Sequence, residues 1–131
     1  MPAYEDTLFS PPAPVVRVKL RNPQTGIDRS DVPMLLDSGA DVTLLPRTAI
    51  DALDVQPSDQ SYELIAFDGT KSVSAVVIAE LVFLGRVFRG QFLLVDQEVG
   101  ILGRDVLNHV SVLLDGPSLR WEEWVSNIRK S

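Results

Sequence analysis

Apolar and charged positions alternate along Val15 to Leu20, VVRVKL, once past the first residue, which is the period of two expected of a half-buried strand. Turn chemistry follows at Asn22-Pro23-Gln24-Thr25-Gly26, and Asp31 to Leu36 runs back toward the core, so the two runs predict a hairpin that ends at Asp37. Val42 to Leu45 is β-rich until Pro46 breaks it. Pro46 to Leu53 then predicts a short helix with Pro46 in its first turn and Ile50 and Leu53 on one face. Ser61 to Phe67 and Lys71 to Val77 predict strands joined at Asp68-Gly69-Thr70, a tight-turn signal because Asp and Gly tolerate positive φ. Val76 to Leu84 and Val87 to Val95 form another such pair around Gly85-Arg86, and Val99 to Leu102 is a short strand before Gly103. Arg104 to His109 predicts a short helix, and Val110 to Leu114 and Leu119 to Trp121 flank a turn at Asp115-Gly116-Pro117. The chain is therefore read as mainly β with one or two short helices.

The ends differ from the middle. Residues 1–14 contain four prolines and little periodicity, so they predict an irregular arm. Residues 122–131 are polar, with Trp124, Val125 and Ile128 at helical spacing, which fits a short helix or an interface segment. With 131 residues, 45% of them hydrophobic, one core is expected, spanning residues 15–121. A net charge of −6 without a basic stripe argues against nucleic acid as a partner. The absence of cysteine removes disulfides, thiol catalysis and Cys-based metal sites. No apolar run approaches the roughly 20 residues of a membrane span, and the first residues lack the pattern of a secretion signal. A soluble, cytoplasmic protein with no membrane partner is expected.

Chemistry concentrates in Met34 to Pro46, MLLDSGADVTLLP. A carboxylate at the end of an apolar strand is costly unless something uses or compensates its charge. Asp37-Ser38-Gly39 has two readings: an ordinary strand-ending turn, or a catalytic loop in which Gly39 lets a substrate backbone approach, Asp37 supplies a carboxylate and Ser38 braces the loop. His109 is the one histidine, so Ser/His/Asp and zinc-hydrolase chemistries lack their parts. No phosphate-binding glycine loop or calcium-loop spacing is present, and no metal or cofactor is expected.

At these residues the chain resembles the retroviral-type aspartic proteases, whose signature is an apolar run, Asp-Thr/Ser-Gly-Ala, and a second apolar run. The second signature, two apolar residues and a Gly opening a short helix, stands at Ile101-Leu102-Gly103-Arg104-Asp105. The resemblance implies a single-lobe acid-protease β-barrel with a flap hairpin, completed as a homodimer, acting on a peptide or protein substrate. It makes Asp37 the catalytic residue, with Ser38 bonding across a twofold axis and Gly39 accepting close approach of substrate. It assigns substrate contacts to Ala40 and Asp41, and pocket positions to Leu35, Val42, Leu44 and Ile101. Val42 stands where the best-known viral enzymes carry a second acidic residue. It also places Phe67, Asp68, Gly69 and Thr70 at the flap tip and pairs Asp41 with Arg104.

Hydrolysis by carboxylates needs two of them, one to take a proton from water and one to return a proton. This chain offers a single Asp-Ser-Gly and is too short for a second lobe. The expected enzyme is thus an endopeptidase whose two Asp37 carboxylates, one per subunit, share a proton and titrate as a unit, with activity favouring acidic pH. The alternatives are a retropepsin-like dimerisation or peptide-binding module without catalysis and, more distantly, an unrelated small β-barrel.

Overall fold

The computed structural model describes residues 2–58, 60–65 and 68–125. Nine strands and two short helices are assigned among them: β1 (Val15–Arg21), β2 (Asp28–Leu36), β3 (Leu44–Pro46), α1 (Arg47–Ala52), β4 (Ser61–Ile65), β5 (Lys71–Phe83), β6 (Arg86–Val95), β7 (Gly100–Leu102), α2 (Arg104–Leu107), β8 (Val112–Asp115) and β9 (Arg120–Glu123). The order β1-β2-β7-β3-β6-β5, with β5 returning to β1, closes six strands into a barrel. β4 hangs outside that ring on the first half of β5.

Alternation explains the closure. Val16, Val18 and Leu20 of β1, Val32 and Met34 of β2, and Val77, Ala79, Leu81 and Phe83 of β5 point inward and are buried. Ile50 and Leu53 fill one end of the same cluster, which places the α1 face where the apolar spacing predicts it. β7 covers β2 only from Met34 onward. Pro33, which has no N–H to donate, therefore sits where β2 has a single neighbour, paired with Arg17 of β1.

Several boundaries shift from the sequence expectation. Lys71 to Val77 and Val76 to Leu84 are one 13-residue strand, whose two halves pair with different partners, β4 and β6. The turn after it falls at Leu84-Gly85, both with positive φ (52° and 73°), one residue earlier than expected. The first and last segments are less independent than their composition suggests. The N-terminal arm makes bridges Glu5 to Ala13 and Ala3 to Arg120, and β9 continues two residues beyond Trp121. Of the tail residues at helical spacing, Trp124 and Val125 are exposed and in no helix, and Ile128 lies outside the described residues. No helix among the described residues is long and apolar enough to cross a membrane.

Candidate active site

The site is built where β2 runs out. Leu36 is the last residue to pair with β7, and the Asp37 N–H then donates to the Leu102 carbonyl at 3.1 Å. The chain turns back on itself at once, the Ala40 N–H donating to the Asp37 carbonyl at 3.1 Å. Within this turn the Gly39 N–H donates to Asp37 Oδ1 at 3.0 Å, which fixes the carboxylate's orientation. A Cβ on Gly39 would stand 3.1 Å from that same oxygen, so a larger residue would press on the group it orients. Asp37 is half-buried, while Ser38, Gly39 and Asp41 are exposed. Carboxylate, hydroxyl and an open glycine thus lie together on one accessible loop.

The second motif carries the loop from behind. Gly103 is buried, and a Cβ there would lie 2.5 Å from the Val42 carbonyl oxygen and 3.0 Å from that of Ala40. Only hydrogen fits between the two chain segments. Thr43, fully buried, ties them together: its Oγ1 donates to Asp105 Oδ1 at 2.6 Å and accepts the Gly103 N–H at 3.0 Å, while its own N–H donates to Asp105 Oδ2 at 3.1 Å. Sequence reasoning assigned no role to Thr43 or Asp105. The signal was present in a threonine set inside an apolar run, since a hydroxyl buried there needs partners.

Arg104 joins the same brace in an unexpected way. Its N–H donates to the Ala40 carbonyl at 2.8 Å and its Nη1 to the Ser38 carbonyl at 2.8 Å. The expected ion pair with Asp41 is absent from the ion pairs of the described residues. The guanidinium is drawn instead to a carbonyl at the tip of the Asp37 turn, because the backbone bond to Ala40 already holds Arg104 against that turn. Asp41 is left exposed to solvent or to a ligand.

The anticipated pocket residues do meet. Leu35 pairs with Ile101 across β2 and β7, and Ile101 pairs with Leu44 across β7 and β3, so the three stand side by side on adjacent strands. Val42 and Thr43 line an apolar recess of about 120 Å³ with Tyr62, Val76, Gln91 and Leu93. Tyr62 belongs to β4, which brings the base of the outer hairpin beside the Asp37 loop. Of the anticipated flap tip, Asp68, Gly69 and Thr70 are exposed and turn with φ of 83° at Gly69, whereas Phe67 lies outside the described residues. No group of His, Cys, Asp and Glu suited to a metal ion occurs among the described residues.

The sequence model of a family described as gag-polyprotein putative aspartyl protease matches residues 24–109, well over half of the chain. The chain belongs to that family. Two solved structures share the fold of this family member. The EIAV protease, in complex with an inhibitor, is 24% identical and aligns over 74% of this chain and 86% of its own, with a TM-score of 0.54. The simian foamy virus protease is 15% identical and aligns over 72% and 92%, with a TM-score of 0.51. A search of curated proteins finds no match. The fold is accordingly the retropepsin-like single lobe. The family match covers the Asp37 loop, the outer hairpin and the Ile101 to Asp105 segment, and leaves out β1, β8 and β9.

Proposed function

We propose that the protein is an aspartic endopeptidase acting as a homodimer, in which the Asp37 carboxylates of two copies face each other across a twofold axis. One observation carries this reading: Asp37 stands on an accessible loop that orients its carboxylate through the Gly39 N–H and is anchored from behind by Arg104 and by the Thr43–Asp105 pair. An ordinary strand-ending turn needs no such scaffold. The family match supports protease chemistry, and the single Asp-Ser-Gly of the chain supports self-association as the source of the second carboxylate.

Two carboxylates a few ångströms apart cannot both ionise cheaply, so the pair holds one proton. The ionised member takes a proton from a water lying between them as that water's oxygen bonds to the scissile carbonyl carbon. The protonated member gives its proton to the carbonyl oxygen, producing a neutral gem-diol. In the second half a diol proton returns to one carboxylate, a proton passes to the amide nitrogen, and the C–N bond breaks with its electron pair leaving on nitrogen. The dyad ends with the one proton it began with. The exposed Ser38 hydroxyl, without an intrachain hydrogen bond among the described residues, bonds across the axis to hold the loops in register. Leu35, Leu44, Ile101 and the recess at Val42 receive apolar side chains of the peptide, Asp41 bonds its main chain, and Gly69 and Thr70 close over it.

Asp37→Asn tests the reading. It preserves shape and removes the titrating group, so cleavage of a peptide library from acidic to neutral pH should fall by about 10²-fold or more while the fold is kept. Equal cleavage by both proteins would assign the activity to a contaminant. No cleavage by the native chain would leave a peptide-binding module of the same fold.

A further inference from the structure

β6 is covered on one side for only part of its length. β5 pairs with it from Arg86 to Leu93, whereas β3 reaches only Leu93 to Val95 on the other side. On that second side the Leu93 N–H donates to the Thr43 carbonyl at 3.3 Å. The backbone groups of an antiparallel strand alternate in direction with a period of two, so those of Gln91, Arg89 and Val87 face the same way. They meet no backbone partner there among the described residues. The slot they face, of about 380 Å³, is walled opposite by Asp105 and Val106 of α2 and by His109 just after it. Arg86 ties the two walls together at one end, its Nη1 donating to the His109 carbonyl at 2.7 Å.

Gly90, in the middle of this stretch, is not explained by the fold. Its φ lies outside the left-handed region and a Cβ added to it would meet nothing within 4 Å, so neither turn geometry nor crowding calls for glycine. Glycine inside a strand gives up packing and rigidity, and it marks places where a ligand or another backbone comes close. Phe88 and Phe92 flank it on the same strand face, and the ring of His109 lies 6.1 Å from that of Phe88. The missing side chain therefore leaves an aromatic-walled opening on the slot. Arg89 stands exposed at its rim and makes no ion pair among the described residues. Glu80, opposite Arg89 across β5 and β6, lies 3.9 Å from Arg21 instead, and both oxygens of Asp105 are taken by Thr43. The Arg89 guanidinium is thus available to an anion.

The slot adjoins the candidate active site. Gln91 lines both it and the recess at Val42, and Asp105 in its wall carries the bonds that brace Thr43. We propose that the slot extends the substrate site and holds a stretch of a protein substrate remote from the cleaved bond. That stretch is extended and lays its backbone along Val87, Arg89 and Gln91, whose outward N–H and C=O groups it satisfies as an added strand does. It places a large apolar side chain in the opening at Gly90 and an acidic side chain against Arg89. This rests on the protease reading above and deepens it by naming the class of sequence the enzyme selects outside the bond it cuts.

Binding and cleavage test this separately. The probe is an acetylated, amidated pentapeptide with a central phenylalanine flanked by aspartates, titrated into isotope-labelled Asp37→Asn protein so that it is bound and not cut. Amide shifts should concentrate at Val87, Arg89, Gln91 and His109. Gly90→Val fills the opening where a Cβ has room, and Arg89→Glu reverses the charge at the rim. Each, added to Asp37→Asn, should weaken binding by about tenfold or more. With Asp37 intact, joining the same segment to a cleavable peptide through a flexible linker should raise kcat/KM by about tenfold, through KM. Gly90→Val should erase that gain while the unextended peptide is cut as before. Denaturant midpoints report whether the variants fold, and Arg89→Glu, at an exposed position, carries the test if Gly90→Val does not. Shifts confined to the Asp37 loop, binding that neither variant weakens, or an extension that gives no gain each overturn the slot and leave the protease standing. A chain that binds the probe at the slot but cleaves no peptide overturns the protease reading, and the slot's part in substrate selection with it.

Discussion

The Asp37 loop and the outer hairpin β4–β5 are both expected to touch substrate, yet they are held by opposite means. Behind the loop, Thr43, Leu102 and Gly103 are buried, and bonds from Gly103, Arg104 and Asp105, sixty or more positions away in the chain, hold it. The hairpin has its own ladder and little else. Every side chain of β4 is exposed except the half-buried Leu64, and β5 is exposed from Lys71 to Val73. Local opening costs little where few apolar contacts are lost and much where a packed, bonded unit must come apart. A site that must orient a carboxylate and also admit a peptide needs one of each. In the proposed protease the loop would hold geometry and the hairpin would supply access.

The sharpest way to break this contrast is at the packed side. Gly103→Ala places a methyl group 2.5 Å from the Val42 carbonyl oxygen and 2.6 Å from the Val42 carbonyl carbon, both backbone atoms that cannot swing aside. Denaturant unfolding should show a loss of about 2–3 kcal/mol, with cleavage falling because Ala40 and Val42 are displaced. Thr43→Val is the next step down. It keeps volume but leaves the buried Gly103 N–H without its acceptor and Asp105 with one bond fewer, at a cost of about 1–3 kcal/mol. Unfolding of either variant at the native denaturant midpoint would mean that the brace is dispensable and the contrast false.

How much of this was readable beforehand follows from the range of the forces involved. Strand periodicity, turn residues and both motifs are local, and they placed β1, β2, the Asp68-Gly69 turn and the Asp37 loop within a few residues. The side-by-side meeting of Leu35, Ile101 and Leu44 came only through the family resemblance, because β7 pairs with strands more than fifty positions away in sequence. What escaped was decided by competition for partners. Thr43 and Asp105 are 62 positions apart, and nothing local marks them as mates. Arg104 and Asp41 carry opposite charges and yet are not paired, since backbone bonding at Arg104 offers its guanidinium a nearer acceptor at Ser38. The arm at residues 1–14 reads as irregular by composition, and its order comes from an edge of β9 that only the assembled fold presents.

On the exposed side the same kind of change should do much less. Lys71 and Glu63 form a diagonal ion pair across β4 and β5 at 3.6 Å with side chains 66% and 55% exposed. Water screens such a pair, so Lys71→Ala should alter global stability by less than about 0.5 kcal/mol in the same unfolding experiment. A loss comparable to that of Thr43→Val would show that the hairpin is part of the cooperative core.

The smallest effect expected is a pH response confined to the hairpin tip. The hydroxyl of Thr70 and then its N–H, the latter at 2.8 Å from Oδ1, hold the Asp68 carboxyl below its ordinary value. A carboxylate whose pKa is lowered by folding contributes to the turn above the ordinary Asp range and loses that contribution as pH falls through the lowered value. Acidification should therefore speed amide hydrogen exchange at Thr70, relative to the intrinsic exchange rate at each pH, with no matching change at Val77, which is buried on the same strand and pairs with Phe92. Asp68→Asn, which cannot titrate, should flatten the response. In the proposed protease, whose dyad with a shared proton works best on the acidic side, this loosening would occur toward the conditions in which the hairpin would open and close. The contrast then extends along β5 itself: on acidification the tip gives up a bond, while the buried stretch around Val77 keeps its pairing with β6.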